Sequence, residues 1–224
     1  MSHTAAFDAR REVLLGLGSY AAYLAVRRAV LTPAGRERAH RNARRLLALE
    51  RRLGIDVEGA VQRGVVGAPA LARALSAGYA GLNVGLSVGW LARLYARRDP
   101  GYHRERRAAV AAFLGALPVF LALPTAPPRT QEGYVDTLGA AGIDIEHPLL
   151  VRFYNPLAAL PSHHAAFAVV TGSGLAARAR GVRRVAWAAY PPLVAVVVVA
   201  TANHFVLDVV AGAALGAAAR ALTR

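Results

Sequence analysis

The chain contains no cysteine and no lysine. Without cysteine there is no thiol nucleophile, zinc–thiolate site, iron–sulfur cluster or disulfide framework. Without lysine there is no Schiff-base amine and no Walker A phosphate loop; all 27 basic residues are arginine. Charge is also scarce: 18% of the 224 residues are charged and 55% are hydrophobic, with a mean hydropathy of +0.34. A soluble domain is usually about a quarter charged. This balance excludes disorder and points to several membrane-spanning segments. Aromatics make up only 7%, and the formal charge of +14 falls in blocks between apolar runs, with no basic stripe interleaved with aromatics. The charge therefore reads as membrane topology, and no nucleic-acid partner is expected.

Six apolar runs follow one another: 13–32, 68–94, 108–123, 162–177, 185–201 and 203–219. The first is followed by RERAHRNARRLLALERR (36–52), whose Ala39, Ala43, Leu46 and Leu47 recur at helical spacing. That stretch is either an amphipathic helix on the bilayer surface or a solvated connector. The last two runs have almost no linker and form an antiparallel hairpin. No internal repeat is visible, and the first run lacks a small-residue cleavage site. The expectation is an all-α integral membrane protein with six transmembrane helices and an amphipathic interfacial helix after the first span. It forms a single membrane domain over 1–224: an N-terminal span and amphipathic helix over 1–64, and a core over 65–220.

Arginines orient the spans. Residues 93–107 carry six and 178–184 carry four, whereas the polar 124–160 segment carries only Arg129 and Arg152. The positive-inside rule puts the first two connections in the cytoplasm and the long segment outside. The eight arginines of 33–66 conflict with alternation, unless that helix lies on anionic headgroups of the outer leaflet. The long segment, with GYVDT and IEHPLL, is too polar to span, and loops of that length are often functional.

Ionisable groups inside apolar runs are costly and are functional candidates. Four stand out. His163 and His164 open the fourth run, His204 opens the sixth, and Asp208 lies four residues on. On a helix, His204 and Asp208 share a face, so the carboxylate can fix the imidazole tautomer. Gly212 and Gly216 continue that face and allow close helix packing. The alternatives are a packing hydrogen bond, a zinc site on His164, His204 and Asp208, or a proton relay. No metal-ligand spacing such as H-x-x-x-H is present, and one polar cluster without repeats argues against transport.

LPSHHAAFA (160–168) followed by ANHFVLDVVAG (202–212) resembles the paired motifs of the type 2 phosphatidic acid phosphatase superfamily, Pro-Ser-x-His and His-x-x-x-Asp. PTAPPR (124–129) with GYVDT resembles the preceding segment in its inositol phosphorylceramide synthase-like branch. The resemblance covers roughly residues 65–220. It implies that His204 attacks phosphorus to form a phosphohistidine, that Asp208 orients it, and that His164 protonates the leaving alkoxide. It also implies that Arg129 and Ser162, with His163 and Asn203 beside them, contact the phosphate. For Asn203 a helix N-cap is the competing reading, and His163 has the competing prospect of facing another helix. Asp136, Tyr134, His147, Tyr154 and Asn155 are further loop candidates, and Tyr79 and Asn83 either line a lipid cavity or join helices. No metal and no cofactor are expected. The implied substrate is a phospholipid or polyprenyl phosphate, cleaved or transferred to an alcohol acceptor at the outer face of a bacterial plasma membrane. A non-catalytic protein that binds or moves anionic lipid is the rival class. The sequence departs from the phosphatase branches in three places. Ala122 stands where a lysine is usual, Thr130 follows Arg129 where a proline is usual, and Val198 stands six residues before His204 where an arginine is usual.

Overall fold

The computed structural model describes residues 7–144 and 147–223. Ile145 and Glu146 of the IEHPLL stretch lie outside the described residues.

Long rods arise where the apolar runs fall. They are α1 (Ala9–Val30), α4 (Pro69–Ala77) continued through a π-helical turn (Gly78–Leu82) into α5 (Asn83–Ala96), α6 (Tyr102–Ala122), α9 (His163–Arg178), α10 (Gly181–Ala200) and α11 (Val206–Leu222). Between them come α2 (Pro33–Leu53), α3 (Glu58–Val66) and the short α7 (Thr137–Ala140) and α8 (Pro148–Val151). Among the described residues there is no β-strand beyond one isolated bridge, Thr125 with Ala158.

Helix α9 is the centre of the bundle, packed against α5, α6, α10 and α11. Its small residues permit this. A Cβ on Gly212 of α11 would lie 2.2 Å from the Ser162 carbonyl oxygen, and one on Gly216 would lie 2.5 Å from that of Ala166. The two helices thus touch backbone to backbone, as the Asp208–Gly212–Gly216 face implied.

The surface of the rods is apolar. Leu14, Leu17, Val88, Leu193, Val196 and Val210 are each more than half exposed. Helices α1 and α10 are long and apolar enough to cross a bilayer, yet only 6% and 17% of their most apolar windows are buried. A soluble protein would hide such helices in its core, so the exposed faces mark membrane association. The other rods differ from simple spans. The second run contains the π turn. Helices α9 and α11 have only 16 and 17 residues, roughly 24–26 Å at 1.5 Å per residue.

One end of the bundle is closed by ion pairs: Arg106 with Glu12, Arg178 with Asp99 at 3.1 Å, and Arg220 with Glu105. At the other end lie α2, α3, the 123–162 segment and the 201–205 turn. Helix α2 is well specified locally. Thr32 Oγ1 accepts from Gly35 N, Pro33 begins the helix, and Gly54 ends it at φ 68°. The apolar face of this helix is not the face left for a bilayer surface. Ala39, Ala43 and Leu47 pack onto Ala126, Leu157 and Phe205, so that face is filled by protein. The opposite face exposes Arg36, Arg38, Arg41, Arg44, Arg45, Arg51 and Arg52.

Gly212→Ala is expected to force α9 and α11 apart and to destabilise the protein by about 1–3 kcal/mol, the usual cost of overpacking. A melting midpoint in detergent indistinguishable from wild type would contradict this backbone contact.

Candidate active site

Five segments converge on a polar cup lined by Tyr23, Tyr79, Arg129, Tyr154, Asn155, His163, His164, Asn203 and His204. The segment after α6 enters it through backbone pairing. Thr125 N donates to Leu157 O and Ala159 N to Thr125 O. Arg129 N donates to Ala202 O, which joins that segment to the α10–α11 turn. From α1, Tyr20 and Arg27 donate to the carbonyls of Phe153 and Tyr154, and Tyr23 Oη accepts from Asn155 N.

His204 is not the first residue of the sixth helix. It stands in the turn before α11, so it meets Asp208 because the chain bends there and not through two positions on one helical face. Its Nδ1 lies 3.0 Å from the Ala159 carbonyl oxygen and 3.5 Å from Asp208 Oδ2. A carbonyl only accepts, so Nδ1 carries the hydrogen and Nε2 the lone pair. Asp208, fully buried, uses the same Oδ2 to accept from Phe205 N at 3.0 Å, which ties the carboxylate to the turn it orients. Burial, with the Arg129 charge adding to it, pushes the His204 imidazolium down to about pKa 3. The neutral ring with a free Nε2 is the form a nucleophile requires.

His164 faces His204 with ring centroids 5.6 Å apart. Tyr79, carried by the π turn, stacks on His164 at 4.4 Å, and Asn83 donates to the His164 carbonyl at 2.8 Å. Tyr79 and Asn83 thus line the cavity and join helices at once, and the π turn sits at the site, as such turns often do. His163 points toward α6. Its Nε2 lies 3.1 Å from the Phe113 carbonyl oxygen, and its ring stacks on Phe113 and meets Phe120 edge-on. It still borders the cup.

Arg129 is the single cationic side chain among the described residues that line the cup. Its side chain is only 3% exposed, and every nitrogen is oriented. Nη1 donates to Asn203 Oδ1, Nη2 to Tyr154 Oη at 3.1 Å, and Nε lies 3.9 Å from Asp136 Oδ1. Asn203 is therefore not an N-cap. Its Nδ2 donates to Thr201 and its Oδ1 holds the arginine fork. Ser162 is placed otherwise than a phosphate contact. It is fully buried, its Oγ caps α9 by accepting from Ala165 N, and it is absent from the cup lining. Asp136 caps α7, Tyr134 packs beneath α2, and His147 Nδ1 accepts from Leu149 N at the surface. Val198 is buried in α10, where its carbonyl accepts from Asn203 N and His204 N, and Ala122 is exposed at the end of α6. Among the described residues no three of His, Asp and Glu form a set that could hold a metal.

Sequence reasoning missed Tyr23 and the backbone acceptor Ala159. A tyrosine in an apolar run carries no distinguishing signal, and a carbonyl carries none at all. Two apolar grooves open off the cup. One, lined by Val84, Val88, Phe113 and Phe167, shares Tyr23, His163 and His164 with it. The other, lined by Leu75, Leu82, Leu193 and Val197, shares Tyr79 and His164.

The family model described as the PAP2 superfamily matches residues 44–222. No curated protein and no solved structure matches the chain.

Lysine at position 129 keeps the charge and loses the fork, so Arg129→Lys is expected to lower turnover of a phosphate ester about 10- to 100-fold. A wild-type rate would mean that the phosphate binds elsewhere. Folding favours the neutral His204 ring, whose pKa falls from 6.5 to about 3. Its contribution to stability is therefore constant above pH 6.5 and is lost as pH falls below that toward 3. His204→Gln should flatten the acid limb of the melting profile over that range; an unchanged limb would contradict the buried neutral ring.

Proposed function

Because the chain belongs to the PAP2 superfamily, whose members act on phosphate esters as phosphatases or phosphotransferases, we propose that it cleaves or transfers a lipid phosphate through a phosphohistidine on His204. The observation that carries this reading is the tautomer of His204. Its Nδ1 is held by Ala159 and Asp208, and Nε2 is left for the cup that also holds Arg129 and His164.

In the first step Nε2 attacks phosphorus in line, the N–P bond forms, and the P–O bond to the lipid alcohol breaks. His164, entering as the imidazolium that the bound phosphate anion favours, gives its second proton to the leaving alkoxide and becomes neutral. Arg129 neutralises the phosphoryl oxygens, with Asn203 and Tyr154 holding its fork in register. Asp208 keeps the imidazole in one orientation and favours the charge that develops on it. In the second step the acceptor oxygen attacks phosphorus, the new P–O bond forms, the N–P bond to His204 Nε2 breaks, and the neutral His164 takes the acceptor's proton. Water as acceptor releases inorganic phosphate; an alcohol gives a new phosphodiester or monoester. No step requires a metal.

The apolar grooves that run from His164 toward the lipid-facing surface support a lipid substrate entering sideways. The lack of cationic side chains at positions 122 and 198 favours the branch of the superfamily that resembles inositol phosphorylceramide synthases, and so favours transfer over hydrolysis. We read six helical rods as six spans, with α4–π–α5 as one of them. The arginines of 93–107 and 178–184 lie at the end opposite the cup. The positive-inside rule therefore supports an extracytoplasmic site in a bacterial plasma membrane, with the α2 arginines over the outer leaflet.

The test is phosphate release from a panel of lipid phosphates by purified protein in detergent, alongside His204→Ala and with vanadate added. His204-dependent release that vanadate abolishes and EDTA leaves intact is the expected outcome. Turnover that needs an added alcohol and releases no phosphate would assign transfer. Equal turnover by His204→Ala would remove the phosphohistidine, and lipid binding without turnover in either protein would favour a carrier.

A further inference from the structure

Three consecutive amides at the start of α11 end on three different carboxyl groups. Phe205 N donates to Asp208 Oδ2 at 3.0 Å, Val206 N to Glu58 Oε1 at 2.7 Å, and Leu207 N to Glu50 Oε1 at 2.7 Å. Glu50 comes from α2 and Glu58 from α3, about 150 residues away in sequence. All three carboxyl groups are fully buried. The second oxygen of each, Glu50 Oε2, Glu58 Oε2 and Asp208 Oδ1, has no hydrogen-bond donor among the described residues.

Three carboxylates cannot all stay ionised in such a place. A helix N-terminus offers only about half a positive charge, and a buried unpaired charge is far too costly. The Glu58 carboxyl lies within hydrogen-bonding reach of Glu50. One proton between them supplies the missing donor and leaves the pair with a single negative charge beside the helix start, while the Asp208 carboxylate faces His204 Nδ1. The first oxygens remain free to accept from the two amides.

We propose that Glu50 and Glu58 share one proton and act as positioning residues for the reaction, seating the start of α11 so that Asp208 and the 201–205 turn present His204 Nε2 to substrate. This rests on His204 being the nucleophile. Neither glutamate lines the cup, so both act through the helix start and not on the phosphate. The arrangement also gives the arginine-covered α2 a mechanical link to the nucleophile. Its outer face is exposed, and its inner face holds the end of the catalytic helix.

The experiment compares Glu50→Gln, Glu58→Gln, the double glutamine variant and Glu50→Ala in the full chain, with His204→Ala alongside. Either single glutamine keeps the acceptor oxygen and replaces the shared proton with an amide N–H, so kcat should stay within about threefold of wild type. The double variant places two amides face to face and loses the remaining charge, and the alanine orphans Leu207 N. Both should lower kcat about tenfold or more at unchanged KM. A double glutamine variant with wild-type kcat, or a single one as impaired as Glu50→Ala, would overturn the proposal.

A second readout does not depend on which residue attacks phosphorus. Burial holds the Glu50 pKa up at about 8 instead of 4.5, and Glu58 and Asp208 add to the effect. The folded state therefore prefers protonated Glu50, whose contribution to stability is full below pH 4.5 and lost as pH rises through about 8. The groups around it are Glu58 on α3, Asp208 on α11, Tyr134 on the long segment, and the Arg51–Asp56 pair on α2 and the turn after it. Glu50→Gln should flatten the alkaline limb of the melting profile, and an unchanged limb would overturn the shared proton. If His204→Ala retained turnover, the positioning role would fall with the nucleophile, while the melting profiles would still decide the proton.

Discussion

The hydrogen bond from His204 Nδ1 to the Ala159 carbonyl is the contact on which the rest of the site depends. It decides the tautomer, and it requires two chain segments some 45 residues apart to meet within 3.0 Å. That meeting is prepared elsewhere. Ala159 is held because its amide donates to Thr125 O, and the 201–205 turn is held because Ala202 O accepts from Arg129 N. Ser162 N, at the start of α9, donates to Asp208 O. Three backbone bonds, with the His204–Ala159 contact, thus fix His204, Asp208, His164 and Arg129 in one frame, with no charged side chain in those backbone connections. Backbone contacts of this kind suit a site at the edge of a bilayer, where an unsatisfied peptide group is expensive.

Small residues make the frame possible. Gly212 and Gly216 let α11 lie against the backbone of α9, and Ala39 and Ala43 bring α2 down onto the loop that covers the cup. Larger side chains would lift those helices by the width of a methyl group or more. The buried polar groups would then lose partners held at hydrogen-bond distance. The tight packing therefore serves the polar centre as much as the apolar one.

The bundle has two unlike ends. One is closed by two largely buried ion pairs and one partly exposed pair and carries the chain's charged connections. The other carries a polar cup under an arginine-covered helix, with buried carboxyl groups behind His204. Apolar grooves join that cup to the lipid-facing surface. The lipid phosphate we propose as substrate would match this arrangement in polarity, with its charged group at Arg129 and its chain among valine, leucine and phenylalanine.

The sequence alone was enough to identify helices in apolar runs, the hairpin at 201–203, the His164, His204 and Asp208 set, Arg129 as the surviving cation, and the close α9–α11 face. The apolar runs, the His204–Asp208 spacing and the Gly212–Gly216 face depend on residue type and on spacing within about one helical turn, which a linear chain displays; His164 and Arg129 are grouped with them only through the resemblance of their motifs to the superfamily. Tertiary structure decided the rest. It made Ser162 a cap, turned His163 toward α6, and made Asn203 the partner of Arg129 in place of a cap. It moved His204 off the helix, filled the inner face of α2 with protein, and brought Glu50 and Glu58 to the first amides of α11. All of these turn on which backbone groups lie opposite a side chain after folding. Backbone carbonyls and amides are the same at every position of a sequence, so only the folded chain distinguishes them.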